Sequence, residues 1–281
     1  MPRKIGKLFP NKKSLDLKLE RHLEKLYLRV YGIPVTDFYI AEDSRSALQL
    51  SDSFEESIIK TSKGGYDGKG QFRKKKGENP HLAGDQTYVV EKFVPFDFEA
   101  SIIAARTREG KIYYNQPSYN FNDHGVLLYN YAPSDDYGMR EKASMLLDRL
   151  NYVGVMGIEF FIKDGTSMVN EYAPRVHNSG HHTLSGSSIS QFEQHIRCVL
   201  GLPMQEPRLL SHSGMINILG REVDEDLERR ILYVPGTLIY NYGKTPSPRR
   251  KLGHVNVTAS SSEELLEKIL ELKRIIYPQH E

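Results

Sequence analysis

Apolar residues recur at three- and four-residue steps early in the chain: Leu15, Leu19, Leu23, Leu26, Tyr27 and Val30. That period places them on one face and predicts a helix over residues 14–31. Gly32-Ile33-Pro34 ends it. A strand over 36–41 and a short helix over 44–50 follow, and Ser57-Ile58-Ile59 reads as the end of a further strand. The runs 87–94, 98–106, 111–118 and 126–132 are rich in β-branched and aromatic residues and are punctuated by Pro, Gly and Asn-Asp, which predicts a meander of antiparallel strands. Ala143, Leu146, Leu147 and Leu150 mark one face of a helix over 137–150. Strands at 153–162 and 167–173 flank Asp164-Gly165, a hairpin turn signal. A helix over 190–200 precedes strands at 214–219, 237–241 and 253–258. The last helix opens on the capping box Ser261-x-x-Glu264 and carries Leu265, Leu266, Ile269, Leu270 and Ile276. The pattern is that of an α+β protein without internal repeats or a low-complexity linker.

Composition narrows this only a little. A chain of 281 residues is one large domain or two to three small ones. A net charge of +2 gives no bulk electrostatic case for nucleic-acid binding, and the basic runs Lys74-Lys75-Lys76 and Arg249-Arg250-Lys251 are short. The single cysteine, Cys198, excludes an internal disulfide and fits a reducing compartment. The sequence has no apolar run of about 18 residues and no secretory apolar core at its start. The expectation is a soluble cytoplasmic protein with no membrane and no nucleic-acid partner.

Chemistry concentrates in three stretches. The first is Lys60 to Gln71, where Gly64, Gly65, Gly68 and Gly70 free the backbone to approach a ligand closely. Successive N–H groups in such a loop can form an anion-binding concavity, and Lys60, Lys63 and Lys69 add positive charge; the competing reading is a flexible, solvated hairpin. The loop is not a Walker A motif, since no Ser or Thr follows Lys69, and it lacks the G-x-G-x-x-G spacing. Arg21 and Lys25, one helical turn apart, are either a pair aimed at a shared anion or two solvated charges.

The second stretch is the 153–173 hairpin. Glu159 and Glu171 come out as cross-strand neighbours whether its loop holds two residues or three. Like charges facing each other destabilise a sheet, and a buried pair calls for a compensating cation. Oxygen ligands alone suit Mg²⁺; the competing reading is an exposed pair bridged to Arg or Lys. The third stretch is the polar loop Arg175-Val176-His177-Asn178-Ser179-Gly180-His181-His182. Its histidine spacing fits no common zinc pattern, so a substrate loop is expected. Lys244, Arg249, Arg250 and Lys251 around Pro246-Ser247-Pro248 form a further candidate clamp for phosphate or carboxylate.

Together these stretches resemble the ATP-grasp superfamily and, within it, the 5-(carboxyamino)imidazole ribonucleotide synthase family. The match is carried by Gly64-Gly65-Tyr66-Asp67-Gly68-Lys69-Gly70-Gln71, by Asn170-Glu171-Tyr172-Ala173-Pro174-Arg175-Val176-His177-Asn178-Ser179-Gly180-His181, by Ile189-Ser190-Gln191-Phe192-Glu193, and by Tyr242-Gly243-Lys244 with Arg250-Lys251-Leu252-Gly253-His254. It runs from about Phe9 to the C-terminus. The resemblance implies an ATP-grasp domain of two α+β lobes over residues 9–203, with a lid at about 57–92. A short tail (1–8) would precede it and a small β-rich domain (204–281) with a final helix would follow.

The resemblance also implies roles. Arg21 and Lys60 would contact ATP phosphates, with Gly65, Tyr66, Asp67, Gly68, Lys69, Gly70 and Gln71 closing over them. Glu91, Lys92, Phe93 and Val94 would form the hinge under the adenine, Glu99 would take the ribose hydroxyls, and Asn122 and Asn170 would complete the nucleotide site. Glu159 and Glu171 would hold Mg²⁺. Tyr66, Lys69, Arg175, His177 and Lys244 would surround the aminoimidazole ribonucleotide and bicarbonate, with Asn178, Ser179, Arg250 and Lys251 as further substrate contacts. The implied reaction is ATP- and bicarbonate-dependent carboxylation of 5-aminoimidazole ribonucleotide through carboxyphosphate, in purine biosynthesis. The alternatives are another ATP-grasp ligase, such as a formate-using transformylase, or an ATP-binding fragment completed by a separate partner. Two departures stand out. The family's N-terminal Rossmann-like segment is not in this chain, so a homodimer or a partner supplying that segment is expected. Asn120-Phe121-Asn122 stands where Asn-x-His is usual.

Overall fold

The computed structural model describes residues 8–64, 70–82, 84 and 86–278. Two helices, α1 (Lys12–Leu19) and α2 (Arg21–Val30), open it. A four-stranded antiparallel sheet follows, built from β1 (Phe38–Ala41), β2 (Glu56–Thr61), β3 (Gln71–Lys75) and β4 (Tyr88–Lys92) in the order β1-β4-β2-β3. One face is covered by α3 (Ser44–Ser51), whose start is fixed by a capping box between Asp43 and Ser46. Ala47, Ile59, Tyr88 and Val90 form the small core between them.

The larger lobe is a nine-stranded antiparallel sheet. Its strands are β5 (Phe98–Arg106), β6 (Ile112–Tyr114), β7 (Ser118–Asp123), β8 (Val126–Ala132), β9 (Gly154–Lys163), β10 (Thr166–Ala173), β11 (His212–Leu219), β12 (Thr237–Asn241) and β13 (Lys251–Ala259). They run β10-β9-β5-β7-β8-β11-β13-β12, with β6 paired to β5. The remaining helices are α4 (Met139–Arg149), α5 (Thr183–Gly186), α6 (Gln191–Leu200), α7 (Glu225–Leu232) and α8 (Ser262–Ile276). Leu28 of α2 and Met139, Leu146 and Leu147 of α4 pack on Ile102, Ile158 and Phe160 to form the main core. Removing the ring of Phe160, which is fully buried, would cost about 3–5 kcal/mol. A second core joins Ile216, Val255 and Val257 to Leu227 and Ile231 of α7 and to Leu265, Ile269 and Leu272 of α8.

Two expectations are corrected, and two features go beyond them. The helix over 14–31 is broken at Glu20, whose backbone is extended (φ −132°, ψ 114°). The stripe that suggested it faces outward: Leu15, Leu19, Leu23 and Val30 are exposed, while Leu28, Glu24 and Lys25 are buried. The meander is not one sheet, because β4 pairs with β1 and β2 in the small lobe and the strand following β6 is β7, over residues read as punctuation. The C-terminal strands continue the large sheet, with β11 paired to β8. Finally, α7 escaped the periodicity reading, since its eight residues bury only Leu227 and Ile231.

Candidate active site

The two sheets face each other across a cleft of ≈ 470 Å³. Ile58, Val94, Phe96, Leu127 and Phe161 give it apolar walls, and the rings of Phe96 and Phe161 stack at 4.6 Å. Its charged groups are Lys18, Arg21, Lys60, Lys92, Arg175 and Lys251 against Glu91, Glu99, Glu159 and Glu171.

The hairpin explains how the carboxylates meet. Asp164 and Gly165 both take positive φ (49° and 71°), as a tight turn between twisted strands needs. Val169 faces Phe160, but a bulge at Asn170 shifts the register so that Glu171 faces Glu159 directly. Burial and the charges of Glu171 and Glu99 push the Glu159 carboxyl well above the usual carboxylate range. Burial would push Glu171 up too, but Lys18 and Arg21 prevail and hold it down. Lys18 is the cation that sequence reading missed. Its Nζ lies 2.9 Å from Glu24 Oε2 and 3.4 Å from Glu171 Oε2. The break at Glu20 brings it beside Arg21 in the cleft, and an unbroken helical period does not show that. Among the described residues no cluster of three or more His, Cys, Asp or Glu could cage a metal. Two carboxylates with an otherwise open shell fit Mg²⁺, which keeps waters and shares phosphate oxygens. A divalent ion would also relieve the strained ionisation of Glu159.

His177 reaches the same point from the following loop. Its side chain lies against β9 at Gly157, where a Cβ would come within 2.3 Å of His177 Cβ; this glycine is what lets the imidazole approach. His177 Nε2 is then 3.7 Å from Glu159 Oε1, and Nδ1 is 2.8 Å from Ser179 Oγ. Burial and the neighbouring Arg175 lower its pKa to about 3, so the ring is neutral. Gln191, at the start of α6, fixes the loop by accepting from His177 N–H (2.8 Å) and donating to His177 O (2.8 Å). Asn178 exchanges paired amide hydrogen bonds with buried Asn217 (2.9 and 2.7 Å), and the rings of His181 and His254 stack at 4.4 Å. Gln191 and Asn217 had no assigned role in the sequence; only their pairing in space shows it.

On the small lobe, Lys60 and Glu91 are buried ion partners at 2.9 Å, and Gln71, Lys92, Phe93 and Val94 line the cleft. Gly70 turns the chain back at positive φ (68°), where a Cβ would meet Thr61 Oγ1 at 2.5 Å. Glu99, raised by burial, accepts a hydrogen bond from the Asn122 side chain, and Asn122 and Asn170 also line the cleft. Gly65, Tyr66, Asp67, Gly68 and Lys69 lie outside the described residues. Of the substrate candidates, Arg175, His177, Asn178 and Lys251 line the cleft, whereas Ser179 is buried beneath it, donating through its side chain or backbone to the loop. Lys244 and Arg250 are exposed on the loop between β12 and β13, outside the cleft lining. Lys244 Nζ sits 4.8 Å above the Tyr242 ring, and Arg250 donates to Thr245 O at 2.9 Å.

Residues 26–192 match the ATP-grasp domain and residues 213–268 match the phosphoribosylaminoimidazole carboxylase C-terminal domain. The N5-carboxyaminoimidazole ribonucleotide synthase of Saccharolobus solfataricus is 43% identical over 97% of this chain and 75% of its own length. The chain belongs to the N5-carboxyaminoimidazole ribonucleotide synthase family. Two solved synthase structures superpose closely on it. The phosphoribosylaminoimidazole carboxylase ATPase subunit of Aquifex aeolicus matches with TM-score 0.82 at 38% identity, over 96% of this chain and 76% of that one. The synthase of Aspergillus clavatus, in complex with ADP and 5-aminoimidazole ribonucleotide, matches with TM-score 0.87 at 25% identity, again over 96% and 76%. The chain thus spans about three quarters of the length of these synthases. Among the described residues no helix is long and apolar enough to cross a membrane.

Proposed function

We infer that this chain catalyses the ATP- and bicarbonate-dependent carboxylation of 5-aminoimidazole ribonucleotide on its 5-amino group. The observation that carries this is the meeting, in one cleft, of a facing carboxylate pair and six cationic side chains in a chain 43% identical to such a synthase. ATP enters between the lobes. Its adenine lies against the apolar walls under Lys92–Val94, Glu99 takes the ribose hydroxyls, and Arg21 and Lys60 face the phosphates. Glu159 and Glu171 would hold Mg²⁺, which when bound would neutralise charge on the transferring phosphoryl group.

A bicarbonate oxygen attacks the γ-phosphorus, the bond to the β-phosphate oxygen breaks, and ADP and carboxyphosphate result. The amine of the ribonucleotide then attacks the carboxyl carbon, phosphate leaves, and the nitrogen gives up a proton. Arg175 and Lys251 supply fixed positive charge for the anionic substrates. His177 Nδ1 accepts the Ser179 N–H, so the neutral ring carries its proton on Nε2 and offers it as a hydrogen-bond donor in the same cleft, while the departing phosphate takes up the proton of the amine. The pairing of the loop to Gln191 and Asn217 keeps these groups in place before substrate arrives, so little reorganisation is left to the reacting state. Incubation with Mg-ATP, the ribonucleotide and isotopically labelled bicarbonate tests the reading. Label in the carboxyamino product with one ADP per carboxyl supports it; ADP release without label transfer, or transfer from formate instead, contradicts it.

A further inference from the structure

Arg21 and Lys25 sit one turn apart on α2, and the anion facing Lys25 turns out to belong to the protein. Lys25 is 1% exposed and its Nζ lies 3.4 Å from Glu91 Oε1. The other carboxylate oxygen, Glu91 Oε2, accepts from Lys60 Nζ at 2.9 Å and from Thr36 Oγ1 at 3.4 Å. Glu91 therefore has two buried ammonium groups, with Arg21 adding further positive charge. Burial alone would raise its pKa, but these cations hold it at about 2. The two lysines differ in access, since Lys60 lines the cleft and Lys25 does not. Among the described residues, neither Lys25 Nζ nor Glu91 Oε1 has a hydrogen-bond partner, so the contact at 3.4 Å has room to tighten.

A buried carboxylate stripped of its only cation is strongly unfavourable. With one lysine, Lys60 could not turn to a phosphate without leaving Glu91 in that state. With two, it can. We propose that Lys25 is a positioning residue: it is the resident counter-charge of Glu91, and it frees the Lys60 ammonium to engage the triphosphate of an incoming nucleotide. This rests on the reading of Lys60 as a phosphate contact.

Mg-ATP affinity, measured calorimetrically on the full chain, tests it with Lys25→Met, Glu91→Gln, their double variant, and Lys60→Met. Melting temperature serves as the control for folding. Lys25→Met should weaken Mg-ATP binding by at least about tenfold. In the Glu91→Gln background there is no carboxylate to leave unpaired, so adding Lys25→Met should change affinity by less than about threefold. That second comparison stands even where Lys25→Met alone fails to fold. Unchanged affinity in a folded Lys25→Met protein would overturn the proposal, and so would an equal loss in both backgrounds. Undiminished affinity in Lys60→Met would instead overturn the assignment of Lys60, and the proposal with it.

Discussion

Replacing Glu159 by Gln separates what the carboxylate pair does to the empty protein from what it does to the liganded one, because the two effects have opposite sign. In the free protein Glu159 faces Glu171 across the hairpin. Directly opposed side chains have Cβ atoms about 5 Å apart. Two unit charges at that distance repel by about 3 kcal/mol at an effective dielectric constant of about 20. Lys18 beside Glu171 and the partial solvation of Glu171 reduce this, so a net cost of about 1–2 kcal/mol is reasonable.

The linkage sign agrees. Glu159 binds its proton more tightly folded than unfolded, so its own contribution to stability is greatest below its ordinary value of 4.5 and falls as pH rises from there toward the elevated folded pKa. The glutamine variant escapes that fall. At pH 7.5, without metal or nucleotide, Glu159→Gln should therefore melt a few degrees above wild type, at about 2–4 °C per kcal/mol for a chain of this size. With Mg-ATP the order reverses. A lost charged contact of about 1.5–3 kcal/mol weakens binding by about ten- to a hundred-fold or more, and the nucleotide-induced rise in melting temperature shrinks. Differential scanning fluorimetry across pH 4–8, with and without Mg-ATP and with EDTA, reads both effects. A free variant less stable than wild type at pH 7.5, or a nucleotide shift as large as wild type's, would refute the reasoning.

Gly157→Ala should keep the fold, as judged by circular dichroism, yet lower kcat by about tenfold or more, since its Cβ would displace His177 from 2.3 Å away; steady-state kinetics checks this. Lys251→Met should raise the KM for the ribonucleotide with the ATP KM unchanged, and by more than Lys244→Ala does, because Lys251 lines the cleft and Lys244 is outside it. Asn217→Ala leaves the Asn178 amide without its two paired bonds. It should cost about 1–3 kcal/mol in stability, seen in urea denaturation, together with a loss in ribonucleotide use.

The parts of the site that rest on local chemistry were legible in the sequence. Asp164-Gly165 marks a tight turn, and a tight turn brings Glu159 opposite Glu171 whichever strand register is chosen; the bulge at Asn170 decides between the registers. The cap at Ser261 likewise places the start of α8. What stayed hidden depends on long-range pairing. The outward stripe of Leu15, Leu19 and Leu23 outvoted the inward residues because α2 buries charge, Glu24 and Lys25, on the face that meets the lobes. No periodicity reports a buried ion pair. The sheet partners of β4 and β11 are set by strands far away in sequence, and Gln191 and Asn217 acquire their roles only once the loop at 177–182 lies across them.

The claim at the centre is that bicarbonate is the acceptor of the γ-phosphoryl group in the cleft bounded by Glu159, Glu171, Lys60 and Arg175. ADP release from Mg-ATP, measured in bicarbonate-depleted buffer and again with bicarbonate or formate added, tests it most directly. Bicarbonate should stimulate release, formate should not, and Glu159→Gln should abolish the stimulation. ATP turnover indifferent to bicarbonate, or stimulated equally by formate, would contradict it.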